Sequence, residues 1–147
     1  MQIQNLIILL LSVCLLVIGR RFDECSMARE LLRQGFPRHE IADWLCLIEA
    51  ESSFRTDAIN YKNNDTSWDH GLFQINDRYW CGRYGVGGDC KVKCEDLRTD
   101  DITIASRCAK LIKRRQGFKA WTGWVNNCRG QQLRNHLDHC YRCRNEL

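Results

Sequence analysis

Ten cysteines among 147 residues constrain the fold of this chain more than any other feature of its sequence. So many cysteines in a short chain are typical of secreted disulfide scaffolds, because cytosolic proteins keep their thiols reduced. The net charge is +4 and 44% of the residues are hydrophobic, which suffices for one packed core and argues against disorder. The length and the absence of repeats or linkers indicate a single domain.

The N-terminal segment 1–19 has the features of a secretory signal peptide. It carries no charge, and Leu6 to Ile18 are apolar apart from one serine. This stretch is too short to span a bilayer, which takes about 20 residues. Gly19 is small enough for a cleavage site, although the usual positive charge near the N-terminus is missing. We expect residues 20–147 to form a secreted, extracellular domain with no membrane anchor; an uncleaved anchor or a buried helix is the alternative.

Hydrophobic spacing predicts a mainly helical domain. Residues 25–34 are typical of one helix, and a second helix is expected to begin near Pro37. Thr99 is the predicted N-cap of a third helix, and residues 120–126 are predicted to form a further short one.

A polar segment, 57–76, interrupts these helices. It is rich in Asn and Asp and ends in the strand-like residues 72–75, which predicts short antiparallel strands joined by tight turns. Helices together with one small β insert indicate the α+β class.

Glu51 lies at the end of an apolar helix face. It follows Ile48 by three residues and Trp44 by seven, so the three side chains share one face of the second helix. A carboxyl group held against apolar side chains loses hydration, which raises its pKa towards the value that a general acid needs near neutral pH. The alternative is a helix-end glutamate that reaches past the core to water.

Asp69 lies in the polar segment instead, close in sequence to Asn60, Ser67 and Asn76. Such neighbours donate hydrogen bonds that keep a carboxylate ionised. The alternative is an ordinary turn aspartate. Glu51 and Asp69 are therefore candidate acid and nucleophile in unlike environments.

Three segments resemble the chicken-type (c-type) lysozyme family, and its insect members most closely. They are Trp44 to Phe54 (WLCLIEAESSF), Ser67 to Cys81 (SWDHGLFQINDRYWC) and Cys108 to Trp124, which contains CAKLI and AWTGW. The resemblance covers residues 22–140 and includes the cysteine spacing as well as the motifs. It implies a helical lobe, a small antiparallel β lobe and an active-site cleft between them.

The resemblance also implies a reaction, namely hydrolysis, with retention, of the β-1,4 link between N-acetylmuramic acid and N-acetylglucosamine in bacterial peptidoglycan. Glu51 falls on the general acid of the family and Asp69 on its second carboxylate. Lysozyme is itself the type case of this two-carboxylate chemistry, so both roles come with the resemblance and are not an independent deduction. The implied substrate-binding residues are Asn60, Gln74, Asn76, Tyr79, Trp80, Ala120 and Trp121.

Eight cysteines fall at family spacing, although spacing alone leaves their connectivity open. The implied pairs are Cys25–Cys140, Cys46–Cys128, Cys81–Cys94 and Cys90–Cys108. Cleavage after Gly19 removes Cys14 and leaves Cys143 as an odd thiol. We expect a monomer with a reactive Cys143. This thiol either links two chains in a dimer, competes with Cys140 for Cys25, or is capped by a small molecule.

Asn64-Asp65-Thr66 is a glycosylation sequon, in a segment one residue longer than in the chicken enzyme. We expect an exposed turn there, and a glycan on Asn64 in part of the molecules; an unused sequon is the alternative.

Metal sites and cofactors are not expected. Asp101 matches a calcium position of some family members, but too few hard oxygen ligands accompany it at Thr99, Ile104 and Ala105. A zinc cluster would need Cys140 as a thiolate, whereas the resemblance places Cys140 in a disulfide. The residues of that alternative cluster are His136, His139, Cys140 and Cys143.

Two other classes of function remain open. A non-catalytic lysozyme-like glycan-binding or regulatory protein, as lactalbumins are, would lack the acid glutamate and keep the calcium residues, the reverse of this chain. A cationic membrane-disrupting protein would depend on residues 107–147, which hold ten Lys or Arg against Asp138 and Glu146. No nucleic-acid motif accompanies this charge, so nucleic acid is not an expected partner.

Overall fold

The structure is a computed structural model that describes residues 19–133, 137 and 140. Its α-helices are α1 (Glu24–Arg33), α2 (Ile41–Ser52), α3 (Thr103–Gln116) and α4 (Thr122–Asn127), and its strands are β1 (Ile59–Asn60), β2 (Asp69–His70) and β3 (Ile75–Asn76). Short 3-10 helices cover Arg38–Glu40, Cys94–Arg98 and Phe118–Ala120. This arrangement confirms the predicted α+β class.

Several predictions concern residues that the structure does not describe. The signal segment, apart from Gly19, and Cys143, His136 and His139 lie outside the described residues. Within the described ranges, no helix has the length and apolar character needed to cross a membrane.

Helix α2 is the centre of the core. Nearly every residue from Ile41 to Ile48 is buried, and Trp44 is only 1% exposed. Four aromatic rings surround the Trp44 indole with centroids 4.8–5.7 Å away, and they come from different parts of the chain: Phe36, Phe73, Phe118 and Trp121. Edge-to-face contacts of this kind add to the free energy of burying the rings. They attach the β lobe and the segment before α4 to the same helix that carries Glu51.

The β lobe is a three-stranded antiparallel sheet in the order β1-β2-β3. Its register pairs Asp69 with Asn60 on one side and with Asn76 on the other. Gly71 follows β2 with a φ of +73°, and a Cβ atom there would lie 1.8 Å from the Leu97 carbonyl oxygen. A residue without a side chain is therefore required where the sheet packs on the 3-10 helix Cys94–Arg98.

Two predicted boundaries are wrong. The strand expected over 72–75 is mostly turn, and only Ile75 belongs to β3. The third helix begins at Thr103 and not after Thr99, because Thr99 is extended and ends the preceding 3-10 helix. The N-cap residue Ile102 makes no side-chain cap, but the Asp101 carboxylate just before it accepts hydrogen bonds from the Thr103 N–H at 2.9 Å and from the Thr103 hydroxyl at 2.6 Å.

Four disulfides join these elements. The bond Cys46–Cys128 ties α2 to the end of α4 across 82 positions of sequence. The others are Cys25–Cys140, Cys81–Cys94 and Cys90–Cys108. The four pairs are the ones that the family resemblance implies.

Candidate active site

A cleft of about 670 Å³ separates the helical lobe from the β lobe. Sequence reasoning singled out nine residues for catalysis or substrate binding, and all of them line this cleft. They are Glu51, Asn60, Asp69, Gln74, Asn76, Tyr79, Trp80, Ala120 and Trp121. Residues more than sixty positions apart are thus brought to one surface.

Glu51 reaches the cleft from the last turn of α2. Its Oε1 atom accepts a hydrogen bond from the main-chain N–H of Gly123 at 2.8 Å. Burial raises the pKa of the Glu51 carboxyl, this hydrogen bond opposes the rise, and the negative charge of Asp69 adds to it. Burial dominates, so Glu51 is adapted to hold a proton at a pH where exposed glutamates are ionised.

Asp69 faces the cleft from β2 in a different environment. Its Oδ1 accepts a hydrogen bond from the Asn76 amide at 2.7 Å. Its Oδ2 accepts hydrogen bonds from the Asn63 amide at 2.9 Å and from the Asn60 amide at 3.1 Å. Amide donors on both oxygens fix the orientation of the carboxylate.

Asn63 is a contributor that sequence reasoning missed. It lies in the longer segment between β1 and β2, where the Thr66 N–H donates to its carbonyl at 3.1 Å and closes a tight turn. The Asp65 carboxylate anchors this turn, because it accepts hydrogen bonds from the Ser67 hydroxyl at 2.5 Å and from Arg78 at 2.6 Å. These hydrogen bonds lower the pKa of Asp65 to about 2. The sequence signal for this role was a further asparagine, Asn63, between Asn60 and Asp69 in the polar segment.

Gly123 was missed for another reason. Its contribution is a backbone N–H, which no side-chain motif reports. Asn64, the sequon residue, is exposed and lines the cleft beside Asn63.

The aromatic residues of the cleft differ in exposure. Tyr79 is 62% exposed and offers an open ring at the cleft edge. Trp80 and Trp121 also line the cleft but are only 7% and 4% exposed. The Trp121 indole N–H donates to the Phe73 carbonyl at 2.8 Å, so this ring is part of the core as well. A flat ring beside a polar groove is the usual platform for a sugar face.

Gln74 is held by its own loop. Its φ is +45°, and its side-chain amide donates to the carbonyls of Gly71 at 2.8 Å and Ala58 at 3.1 Å. Gln74 therefore shapes the floor of the cleft and has its amide protons already engaged.

One cluster of metal-ligand residue types occurs among the described residues. Atoms of His70, Cys81 and Cys94 lie within 4.8 Å of one another and are buried. The two sulfur atoms are bonded to each other in a disulfide, so they are not thiolate ligands. This cluster does not form a metal centre.

Comparisons with known proteins agree with this geometry. Residues 20–140 match the C-type lysozyme/alpha-lactalbumin family. "Lysozyme c-1" of Anopheles gambiae is 42% identical over 137 residues, which are 93% of this chain and 96% of that protein. "Lysozyme" of Bombyx mori is 49% identical over 129 residues, covering 86% of this chain and 93% of that one.

A solved structure gives the same result. The crystal structure of a lysozyme from Litopenaeus vannamei superimposes with a TM-score of 0.75 at 38% identity, covering 84% of this chain and 98% of the other. The chain belongs to the C-type lysozyme/alpha-lactalbumin family, and within it to the lysozymes, which are glycoside hydrolases.

Proposed function

We propose that this chain is a secreted lysozyme that hydrolyses the β-1,4 link between N-acetylmuramic acid and N-acetylglucosamine in bacterial peptidoglycan with retention of configuration. One observation carries the proposal. A half-buried carboxyl with a raised pKa and a carboxylate held by amide donors line the same cleft. Lysozyme is the type case of a retaining glycosidase that uses two carboxyl groups in this way.

In the first step Glu51 donates its proton to the glycosidic oxygen as the bond to the anomeric carbon breaks. Burial supports this role, because it keeps the proton on Glu51 until the leaving oxygen takes it. The Gly123 N–H holds Oε1, so the carboxyl group is oriented before the substrate arrives.

Asp69 then bonds to the anomeric carbon or stabilises its positive charge. Three amides point at its two oxygens, which supports a single orientation of the carboxylate. In the second step the ionised Glu51 takes a proton from water, and the oxygen of that water replaces Asp69 at the anomeric carbon. Both carboxyl groups return to their starting states.

Substrate binding is assigned to the rest of the cleft. Tyr79 is the exposed sugar platform, Trp80 and Trp121 line the wall behind it, and Asn60 and Asn76 complete the polar side. Ala120 would offer its backbone to an acetamido group.

Secretion and biological role belong to the proposal as well. An apolar leader at 1–19 and four disulfides both support an extracellular protein. The role would be antibacterial or digestive. A non-catalytic, lactalbumin-like role is disfavoured because both carboxyl groups are present and line one cleft.

The test is hydrolysis of bacterial cell walls by the Glu51→Gln variant. Glutamine keeps an oxygen acceptor for the Gly123 N–H but has no proton of suitable acidity, so clearing of the wall suspension should be abolished while the fold is kept. Glu49→Gln is the matched control, because Glu49 is exposed on the same helix and should clear walls at the wild-type rate. Near wild-type clearing by Glu51→Gln would overturn the mechanism, and would favour membrane disruption by the basic surface.

A further inference from the structure

Asp77 has a buried carboxylate and directly follows β3, the strand that pairs with the Asp69 strand β2. Its side chain is 4% exposed. Its Oδ1 atom accepts a hydrogen bond from the Trp68 N–H at 3.0 Å, and its own N–H donates to the Trp68 carbonyl at 2.9 Å. Asp77 thus holds both backbone groups of the residue that precedes Asp69.

The other oxygen of Asp77 holds the residue that follows Asp69. The His70 Nε2 atom lies 3.2 Å from Asp77 Oδ2, and the His70 side chain is 3% exposed. Burial lowers the pKa of His70, and the charges of Arg98 and Arg83 act in the same direction, while Asp77 opposes them. A carboxylate only accepts hydrogen bonds, so the His70 Nε2–H donates to Asp77.

Arg83 neutralises Asp77 and extends the cluster to the turn before β2. Its Nε atom donates to Asp77 Oδ2 at 2.8 Å, and its Nη2 atom donates to the Thr66 carbonyl at 3.1 Å. The guanidinium also lies 4.1 Å from the centre of the Trp68 ring. Since Thr66 closes the turn that carries Asn63, the cluster also restrains a donor to Asp69.

None of the three side chains is among the residues that line the cleft. Asp77 and Arg83 line a separate, smaller cavity of about 280 Å³. A buried carboxylate is costly to desolvate, and an ion pair rarely repays the whole cost in stability. A gain in the precision of nearby geometry is the alternative reason for keeping such a group.

We propose that His70, Asp77 and Arg83 form a positioning cluster for the Asp69 carboxylate. Asp77 holds the backbone of Trp68 before Asp69 and the side chain of His70 after it, and Arg83 fixes the turn that supplies Asn63. The cluster acts through Asp69 and its amide donors without touching the sugar. This inference depends on the catalytic role proposed above for Asp69.

The first test measures kcat and KM of Asp77→Asn on a short soluble oligosaccharide of alternating N-acetylglucosamine and N-acetylmuramic acid. An amide at position 77 cannot accept the hydrogen bonds of both Arg83 and His70 as the carboxylate does. Asp69 should therefore lose its fixed orientation. We expect kcat to fall roughly tenfold while KM changes less than about twofold, because misplacement of a reacting group lowers the rate more than binding. A wild-type kcat in folded Asp77→Asn would overturn the proposal.

A matched control separates positioning from stability. Glu40 forms an ion pair with Lys113 at side-chain exposures of 15% and 29%, similar to the 4% and 27% of Asp77 and Arg83. Neither Glu40 nor Lys113 lines the cleft. Glu40→Gln should lower Tm as well but keep kcat, and an equal loss of kcat in both variants would show that Asp77 is merely structural.

Arg83→Gln and His70→Gln serve if Asp77→Asn does not fold. Each should lower kcat less than Asp77→Asn does, because each removes one arm of the cluster. Where all variants fold, Asp77→Asn combined with Arg83→Gln should lower kcat by less than the two single losses together, because both variants break the same Asp77–Arg83 contact. Additive losses, or wild-type rates in the single-arm variants, would refute the cluster. Glu51→Gln measured alongside distinguishes this failure from failure of the proposed function.

Discussion

The Glu51 carboxyl and the Gly123 N–H, separated by 72 positions in sequence, meet at 2.8 Å. The contact joins the last turn of α2 to the first turn of α4. The disulfide Cys46–Cys128 connects the same two helices farther along. The position of the proposed acid is therefore set by how two helices pack, and not by α2 alone.

The raised pKa of Glu51 predicts the alkaline limit of activity. The acid must be protonated, so kcat/KM should fall as the pH rises through this pKa, which burial moves above the ordinary value of 4.5. The charge of Asp69 contributes to the shift, so Asp69→Asn should lower the pKa of Glu51. An NMR titration of the Glu51 carboxyl in the wild type and in Asp69→Asn measures the two pKa values. A pKa that stays the same or rises in Asp69→Asn would contradict this origin.

The raised pKa of Glu51 also makes the free energy of unfolding depend on pH. The unfolded chain loses the Glu51 proton near pH 4.5, before the folded chain does. The folded state then binds more protons, so this group's contribution to the free energy of unfolding is complete below about pH 4.5 and is lost as the pH rises through the folded-state pKa. Glu51→Gln should abolish this contribution, which denaturation at several pH values would detect.

Asn63→Ala should lower kcat roughly tenfold. The variant removes one amide donor to Asp69 Oδ2, and a hydrogen bond to a charged group is worth about 1.5 kcal/mol or more. Lys62→Ala is the control, since Lys62 is the exposed neighbour in the same turn. Equal kcat values for the two variants on a soluble oligosaccharide would show that Asn63 does not contribute to catalysis.

Removal of Cys46–Cys128 by double alanine substitution should reduce the free energy of unfolding by about 2–5 kcal/mol. The cost should exceed that of removing Cys81–Cys94 by about 1–2 kcal/mol, because the bonds span 82 and 13 positions and longer loops lose more entropy when closed. Chemical denaturation of both double variants decides the order. A larger loss for Cys81–Cys94 would refute the loop-length explanation.

Asn64 should carry an N-glycan in part of the secreted protein. It is exposed in a tight turn, where the transferase can reach the amide nitrogen. Because Asn64 lines the cleft, the glycan should slow hydrolysis of dense cell walls more than hydrolysis of short oligosaccharides. Mass spectrometry before and after enzymatic removal of N-glycans tests the first point, and Asn64→Gln tests the second. An unchanged mass would end this proposal.

The sequence by itself was sufficient for the broad architecture and for most of the cleft. Helical periodicity placed Glu51 on the face of Trp44 and Ile48, which are both buried, but the family motifs were needed to assign it as the acid. Asp69 stood out by its polar neighbours. Family motifs then brought nine candidate residues together, and all nine line one cleft.

Predictions from short-range sequence patterns were wrong at the ends of a strand and of a helix. The apolar residues Leu72 and Phe73 look like strand, yet they are buried in a turn between β2 and β3. Thr99 looks like a helix cap, yet α3 begins only at Thr103, whose N–H donates to the Asp101 carboxylate. Burial and capping depend on neighbours that a short window of sequence does not contain.

Only the tertiary structure decided which groups hold the two carboxyls. Gly123 acts through a backbone N–H, Asn63 through a turn that brings its amide to Asp69, and Asp77 through hydrogen bonds to both neighbours of Asp69. Periodicity reports which side chains are buried, because burial repeats with the helix or strand. Hydrogen bonds between distant segments depend on distance and angle, which are set only when the lobes pack together.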